Sequence, residues 1–177
     1  VNHPYSDATA TMPPSRELFI EQAMAEFESA LIGYAATLLN DSDRARDVVQ
    51  DTFMRLCQQD VATVRDHLKP WLFTVCRNRA LDILRKEKRN QPLEHSHLQT
   101  AADPGLQPDA QAELAERLAH AMTQLNRLSA NQRDVILLKF QQGLSYQEIN
   151  HITGLSTGNI GFLIHTGLKH LRALMNE

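Results

Sequence analysis

Apolar positions recur at spacings of three and four along nearly the whole chain, and nowhere do they alternate with period two for long enough to make a strand. The pattern predicts an all-α protein. From about Arg16 to Leu39 the residues Phe27, Leu31, Tyr34 and Leu38 form one stripe, and Asn40-Asp41-Ser42-Asp43 then breaks this helix and caps the next. The second helix gathers Val48, Val49, Phe53 and Leu56 on one side, with Arg44, Asp47, Asp51, Met54 and Arg55 opposite. Residues 58–69 read as a loop or short turn, and Pro70 suits the first turn of a third helix reaching about Arg89. On that helix Leu72, Val75, Cys76, Ala80 and Ile83 share one side, and Thr74, Arg77, Asn78, Leu81, Arg85 and Lys88 share the other.

Residues 91–109 carry three prolines, one glycine and no periodicity, which predicts a flexible linker and the main domain boundary. The fold expected is therefore two small helical domains, 16–90 and 110–177, free to move independently behind a disordered tail over 1–15. In the second domain a helix is expected from about Ala110 to Asn126. Ser129 with Gln132, and Ser145 with Glu148, have capping-box spacing for two more, the first ending at Gly143 and the second near Thr153. Gly154 supplies a turn, Ser156 or Thr157 caps the last helix, and Ile160, Leu163, Ile164, Leu168 and Leu171 form its buried stripe. Short helix, glycine turn and longer helix make a helix-turn-helix.

Charge sharpens this picture. The net charge is only −3, but residues 1–43 hold one basic group against seven acidic, 44–90 eleven against six, 91–116 none against five and 117–177 six against three. The first basic block falls largely on one face of the third helix, an expected footprint for phosphate binding. No apolar run approaches the roughly 18 residues of a membrane span and the start lacks a secretory pattern, so a cytoplasmic protein without membrane insertion is expected. Cys57 and Cys76 lie in apolar-periodic segments without zinc-site spacing and are expected as small core side chains. His95 and His97, in the linker, lack a matching Cys or carboxylate and read as a solvated pair. No metal or cofactor is expected. No nucleophile, base and orienting group, and no Gly-rich phosphate loop, can be placed together, so an enzyme is disfavoured.

Three blocks then carry a resemblance: "RARDVVQDTFMRLC" (44–57), "PWLFTVCRNRALDILRKEKR" (70–89) and "LSANQRDVILLKFQQGLSYQEINHITGLSTGNIGFLIHTGLKHLRALM" (128–175). In this order and spacing the sequence resembles the sigma factors of bacterial RNA polymerase, of the extracytoplasmic-function type. The resemblance implies a non-enzymatic subunit that binds core polymerase at its β′ clamp and β flap, melts the minus-ten promoter element with its first domain and reads the minus-thirty-five element with its second. It implies polymerase contacts by Asp47, Gln50, Asp51, Met54 and Arg55. Minus-ten contacts fall to Arg65, His67, Arg77, Asn78, Arg85 and Lys88, with Val64, Arg65, Asp66 and His67 as candidates for a pocket that traps an unstacked base. Trp71 reads as a core anchor rather than a stacking platform. The last helix offers Ser156, Thr157, Asn159, Gly161, Phe162, His165, Thr166 and Lys169 to the minus-thirty-five element.

Two departures stand out. Arg44 and Arg46 occupy positions where the family usually has acids, which sets like charges against a basic clamp surface. An anti-sigma protein or a regulatory kinase is a conceivable further partner, and Thr52, beside Arg44 and Arg55, is the candidate phosphate acceptor, although its apolar position favours a packed threonine. The last helix has no Lys or Arg between Gly154 and Gly167, so affinity and salt dependence are expected mainly from Arg77, Arg85 and Lys88, with the last helix supplying register and selectivity. Phe162 and His165 can equally meet the neighbouring domain or polymerase, and His165 would add charge only when protonated. Two rivals are a helical polymerase- or partner-binding regulator without its own promoter recognition, and a helix-turn-helix repressor or activator working without polymerase. The clamp-like helix weighs against the repressor, and the basic third helix against the regulator.

Overall fold

A computed structural model describes residues 15–90, 120 and 122–175 of the chain. Residues 1–14 of the expected tail, the linker, and residues 110–119 and 121 of the expected fourth helix lie outside these. The described residues are all-helical: α1 (Arg16–Leu39), α2 (Ser42–Leu56), a one-turn α3 (Val61–Val64) followed by a 3-10 turn Arg65–His67, and α4 (Leu68–Asn90) make the first unit. Helical residues 122–126, α5 (Ala130–Ile136), α6 (Tyr146–Thr153) and α7 (Thr157–Met175) make the second. None of the described helices is long and apolar enough to cross a membrane.

Capping chemistry sets the boundaries. Asn40 takes the left-handed conformation (φ 55°) that ends α1, and the Asp41 carboxylate accepts from the Asp43 and Arg44 backbone N–H groups to open α2. Both expected capping boxes form, Ser129 with Gln132 and Ser145 with Glu148. Gly154 (φ 73°) closes α6, and the Ser156 hydroxyl accepts from Asn159 N–H at the start of α7. One local feature escaped the periodicity: after Ile136 the helix widens to a π turn, Leu137–Gln141, where Gln142 N–H reaches back to the Leu137 carbonyl and Phe140 is left exposed.

Each cap is worth about 1 kcal/mol, whereas a fully buried Leu, Ile or Phe contributes about 1.5–3 kcal/mol. Burial therefore holds the fold and the caps fix its lengths. Leu31, Tyr34, Val48, Val49, Leu56, Leu72 and Phe73 are fully buried in the first unit, and Tyr34 meets Phe73 edge-on at 5.3 Å. Val135, Leu138, Leu144, Ile149 and Ile160 play the same role in the second. Trp71 packs against this core as an anchor, in line with its sequence context. Cys57 departs from expectation: Cys76 is buried, but Cys57 is the exposed C-cap of α2.

In the structure the two halves, expected to move independently, lie against each other. Their buried apolar residues form one continuous cluster, and α4 packs directly on α6. Gln141 comes so near α1 that a Cβ added at Gly33 would sit 3.7 Å from its Nε2, and Lys69 Nζ donates to the Gln142 carbonyl at 2.5 Å. The linker's composition bears on its own stiffness only; whether the domains it joins adhere is decided by surfaces far away in sequence.

Candidate nucleic-acid interface

On α2 the apolar side faces α1 and α4, and the opposite face carries Asp47, Gln50, Met54 and Arg55 in the open. Met54 is 56% exposed, a large apolar side chain ringed by polar neighbours. Asp51 is half-buried and pairs with Arg79 of α4 at 2.8 Å. The two unusual arginines are each answered from within the chain, Arg44 by Asp41 at 3.4 Å and by Glu87, Arg46 by Asp43 at 3.1 Å. These pairs lie in contact with solvent, where such contacts contribute little to stability. Thr52 must be withdrawn as a modification site. It is wholly buried and its hydroxyl donates to the Val48 carbonyl at 2.8 Å, so an enzyme cannot reach it in the folded chain.

The segment before α4 places Arg65, Asp66 and His67 on the surface, with the Arg65 guanidinium 5.3 Å from the centre of the Phe19 ring. Val64, by contrast, is 2% exposed and belongs to the core, so it does not line an open base pocket. Along α4, Asn78, Arg85 and Lys88 are exposed, and Arg85 pairs loosely with Asp82 one turn away.

Arg77 stands apart. Its Nε donates to Asp134 Oδ2 at 2.6 Å, with the two side chains 12% and 6% exposed. The other Asp134 oxygen accepts from the Tyr34 hydroxyl, also at 2.6 Å. Burial first, and then the Asp134 charge, push the Tyr34 phenol well above its usual range, so it stays a donor. In this arrangement Arg77 is not offered to phosphate. A cleft of about 360 Å³ opens beside this cluster, lined by Leu81, Leu84 and Arg85 of α4 and by Asn131 and Arg133 of α5. The buried Nε of Arg133 has no partner among the described residues.

In the helix-turn-helix, α7 turns Ile160 and Ile164 inward and leaves Thr157, Asn159, Phe162, His165 and Lys169 exposed, Phe162 at 65%. Ser156 stays exposed at the start of α7, its hydroxyl oxygen accepting from Asn159 N–H and its proton still able to donate. Two expected contacts fall elsewhere. A Cβ added at Gly161 would lie 3.6 Å from Tyr146 Cε2, on the side where α6 packs. Thr166 is half-buried, donating to the Phe162 carbonyl at 2.9 Å and accepting from Gln132 Nε2 at 3.1 Å. A 100° wheel separates these from the buried stripe by little, so only the position of α5 and α6 reveals which side they fall on.

Sequence reasoning missed Tyr34, Asp134, Lys69 and Arg79. Tyr34 looked like one more stripe residue and Asp134 like a polar position near a helix start; their sequence separation of 100 residues carries no signal that they meet.

Family models match both units. Residues 24–90 match Sigma-70 region 2 and residues 120–171 match Sigma-70, region 4. The chain is 32% identical over 155 residues to the ECF RNA polymerase sigma factor SigL of Mycobacterium tuberculosis, covering 86% of each. It is 27% identical to SigM of Bacillus subtilis, covering 89% of this chain and 96% of that one. Among solved structures, the sigma factor RpoE of Bartonella quintana, in complex with the anti-sigma factor NepR, superposes with a TM-score of 0.64 at 28% identity over 89% of this chain and 97% of its own. CnrH in complex with the cytosolic domain of CnrY gives 0.62 at 25% identity, covering 90% and 89%. With both sigma-70 regions matched in order and 32% identity to SigL over most of each chain, the chain belongs to the extracytoplasmic-function sigma factors, non-enzymatic DNA-binding subunits that direct core RNA polymerase to specific promoters and initiate transcription there.

Proposed function

We propose that the work is divided between a first domain, 16–90, that holds core polymerase and opens the minus-ten element, and a second, 110–177, that reads the minus-thirty-five element, with 91–109 as the linker between them. The observation that carries this reading is the exposed α2 face. Met54 surrounded by Asp47, Gln50 and Arg55 has the make-up of a docking hot spot, an apolar anchor inside a polar rim. We assign it to the β′ clamp, with Asp51 steadied by Arg79 at its edge. The minus-ten grip comprises Arg65, His67, Asn78, Arg85 and Lys88, joined by Arg77 when it is released. Exposed cations supply phosphate contacts, and the Asn78 amide can hydrogen-bond a base edge.

On α7, Thr157, Asn159, Phe162, His165 and Lys169 form the minus-thirty-five surface, with the second domain also resting on the β flap. Apolar contact from Phe162 and neutral hydrogen bonds from Thr157 and Asn159 suit a site read more by fit than by charge. The complexes of RpoE with the anti-sigma factor NepR and of CnrH with the cytosolic domain of CnrY favour an anti-sigma partner for this chain as well. With Thr52 buried, a kinase acting there has no part in the reading.

The test is run-off transcription with core polymerase and a genomic promoter library. Met54→Ala and Asp47→Ala should each weaken core binding about 5–30-fold, the 1–2 kcal/mol of an interface anchor, without altering promoter choice. Substitutions at Asn159 and Phe162 should change promoter choice without altering core binding. Unchanged core affinity in the Asp47 and Met54 variants would remove the α2 assignment.

A further inference from the structure

The cleft beside Tyr34, Asp134 and Arg77 is left over by the assignments above, which use only Arg77 and Arg85 of its lining. It holds about 360 Å³ between α4 and α5, a size suited to a small molecule and far too small for a nucleic-acid duplex. Leu38, Leu81 and Leu84 supply apolar lining, and Arg77, Arg85 and Arg133 bring three guanidinium groups. The one carboxylate among these lining residues is that of Asp134, and both of its oxygens are taken, one by Tyr34 and the other by Arg77. Arg85 has only Asp82, at 3.0 Å and in contact with solvent, where such pairs are weak and readily exchanged. Arg133 is the residue that the fold leaves short. Its Nη1 donates to Asn126 Oδ1 at 2.8 Å, but its buried Nε has no partner among the described residues. Buried donors are nearly always paired, above all on charged groups. An orphaned guanidinium N–H in the wall of a cleft therefore marks where an acceptor belongs. Burial works against the Arg133 charge, and Asp134 offsets this only in part.

We propose that this cleft is a binding site for a small phosphate monoester with a compact aromatic or apolar group, its phosphate held by Arg133 and Arg85 and its apolar body laid on Leu81 and Leu84. The ligand class follows from the lining. Three guanidinium groups against one spent carboxylate leave cations in excess. That excess matches the charge of about −1.5 to −2 on a phosphate monoester at pH 7 better than the single charge of a carboxylate. Guanidinium groups grip phosphate through paired, parallel hydrogen bonds, and the Arg133 Nε–H is still unspent. The leucines add affinity that inorganic phosphate cannot reach, because removing apolar surface from water is favourable whatever charge lies beside it. Since Arg85 belongs to the minus-ten grip, ligand and promoter phosphate draw on one cation; that consequence rests on the promoter assignment, whereas the site itself does not.

The test is calorimetric titration of the full chain, without DNA or polymerase and in phosphate-free buffer, with phenyl phosphate, benzoate and inorganic phosphate. Phenyl phosphate should bind about tenfold or more tighter than inorganic phosphate, the difference that burying a phenyl group makes, and tighter than benzoate. Arg133→Gln and Arg85→Gln should each weaken phenyl phosphate about tenfold, the worth of one charge-assisted hydrogen bond. In nuclear magnetic resonance spectra the Arg133 Nε–H signal and the methyl signals of Leu81 and Leu84 should move during the titration. No binding of phenyl phosphate, equal binding of inorganic phosphate, tighter binding of benzoate, or undiminished binding by the Arg85→Gln chain would overturn the proposal. Arg85 is exposed, so its variant keeps the fold and decides the matter should Arg133→Gln fail to fold by circular dichroism. Phenyl phosphate that binds as expected yet leaves affinity for duplex DNA unchanged upholds the site and counts instead against Arg85 as a promoter contact.

Discussion

Thr52 shows how one buried hydroxyl decides between regulation and structure. Its Oγ is satisfied by the Val48 carbonyl and its surroundings are apolar, so a carboxylate placed there would be a buried charge without a counterion. Thr52→Asp should destabilise the fold by on the order of 3–5 kcal/mol in urea unfolding, rather than mimic a regulatory phosphate; Thr52→Val should be far milder. The cysteines offer a second check. Burial pushes the Cys76 thiol up to about 12, against a smaller opposing effect from Thr52, so at neutral pH it is a protonated and shielded thiol. Iodoacetamide at pH 8 should label Cys57 alone in the native protein and both cysteines in urea, as read by intact mass. Labelling of Cys76 at the native rate of Cys57 would show that the α2–α4 contact is open in solution. Neither outcome was legible in the sequence, where both cysteines sit in apolar-periodic segments and only the position of neighbouring helices separates them.

At the scale of elements, the local signals were read well because their physics is local. Caps, helix-ending glycines and apolar stripes depend on residues within one or two turns, and the two capping boxes formed at the positions their spacing predicts. Glu148 carries a consequence. Hydrogen bonds to the Ser145 backbone and side chain lower its pKa, so it binds its proton less readily when folded than when unfolded. The stability it contributes is present above the ordinary carboxylate pKa of about 4.3 and is lost as pH falls through the lower, folded value. Glu148→Gln, which keeps the hydrogen bonding, should remove part of the acid-limb slope in thermal melts taken from pH 6 to pH 3. Ser145→Ala should cost about 1 kcal/mol near neutral pH, and less as Glu148 takes up its proton, because the Ser145 side chain is one of the groups that lower the Glu148 pKa. Gly167 is the opposite case, a requirement invisible along the chain: a Cβ there would lie 2.7 Å from Ile136 Cδ1 and 3.4 Å from Gln132 Cβ. Gly167→Leu should therefore destabilise the α5–α7 contact by about 1–3 kcal/mol, measured as a lower denaturant midpoint.

For the whole molecule, the distribution of charge matters more than the total. Arg85 and Lys88 are exposed on α4, so each should add about 0.9 to the salt slope of DNA binding. Alanine at either position should flatten the plot of log affinity against log salt by roughly that amount, whether the free subunit or the polymerase-bound one is titrated. Arg77 should contribute only once Asp134 has let it go. The neutral outer face of α7 should leave the slope nearly unchanged when Phe162 or Asn159 is replaced, while promoter preference shifts.

The amino-acid sequence by itself determined the helices, their caps, the helix-turn-helix and the family, because helical periodicity, capping and motif spacing are properties of neighbours in the chain. It also placed the exposed face of α2 and the exposed Asn78, Arg85 and Lys88 of α4, though not the burial of Arg77 on the same side, since a wheel distinguishes opposite sides of one helix only. Only the tertiary structure decided which residues near the boundary of a face are spoken for: Thr166 by Gln132, Gly161 by Tyr146, Asp51 by Arg79. It alone joined Tyr34 and Arg77 to Asp134 across 100 and 57 residues of chain. The physical reason is that adhesion between two folded surfaces depends on their matched shape and on the desolvation of specific polar partners, neither of which leaves a periodic trace in either segment.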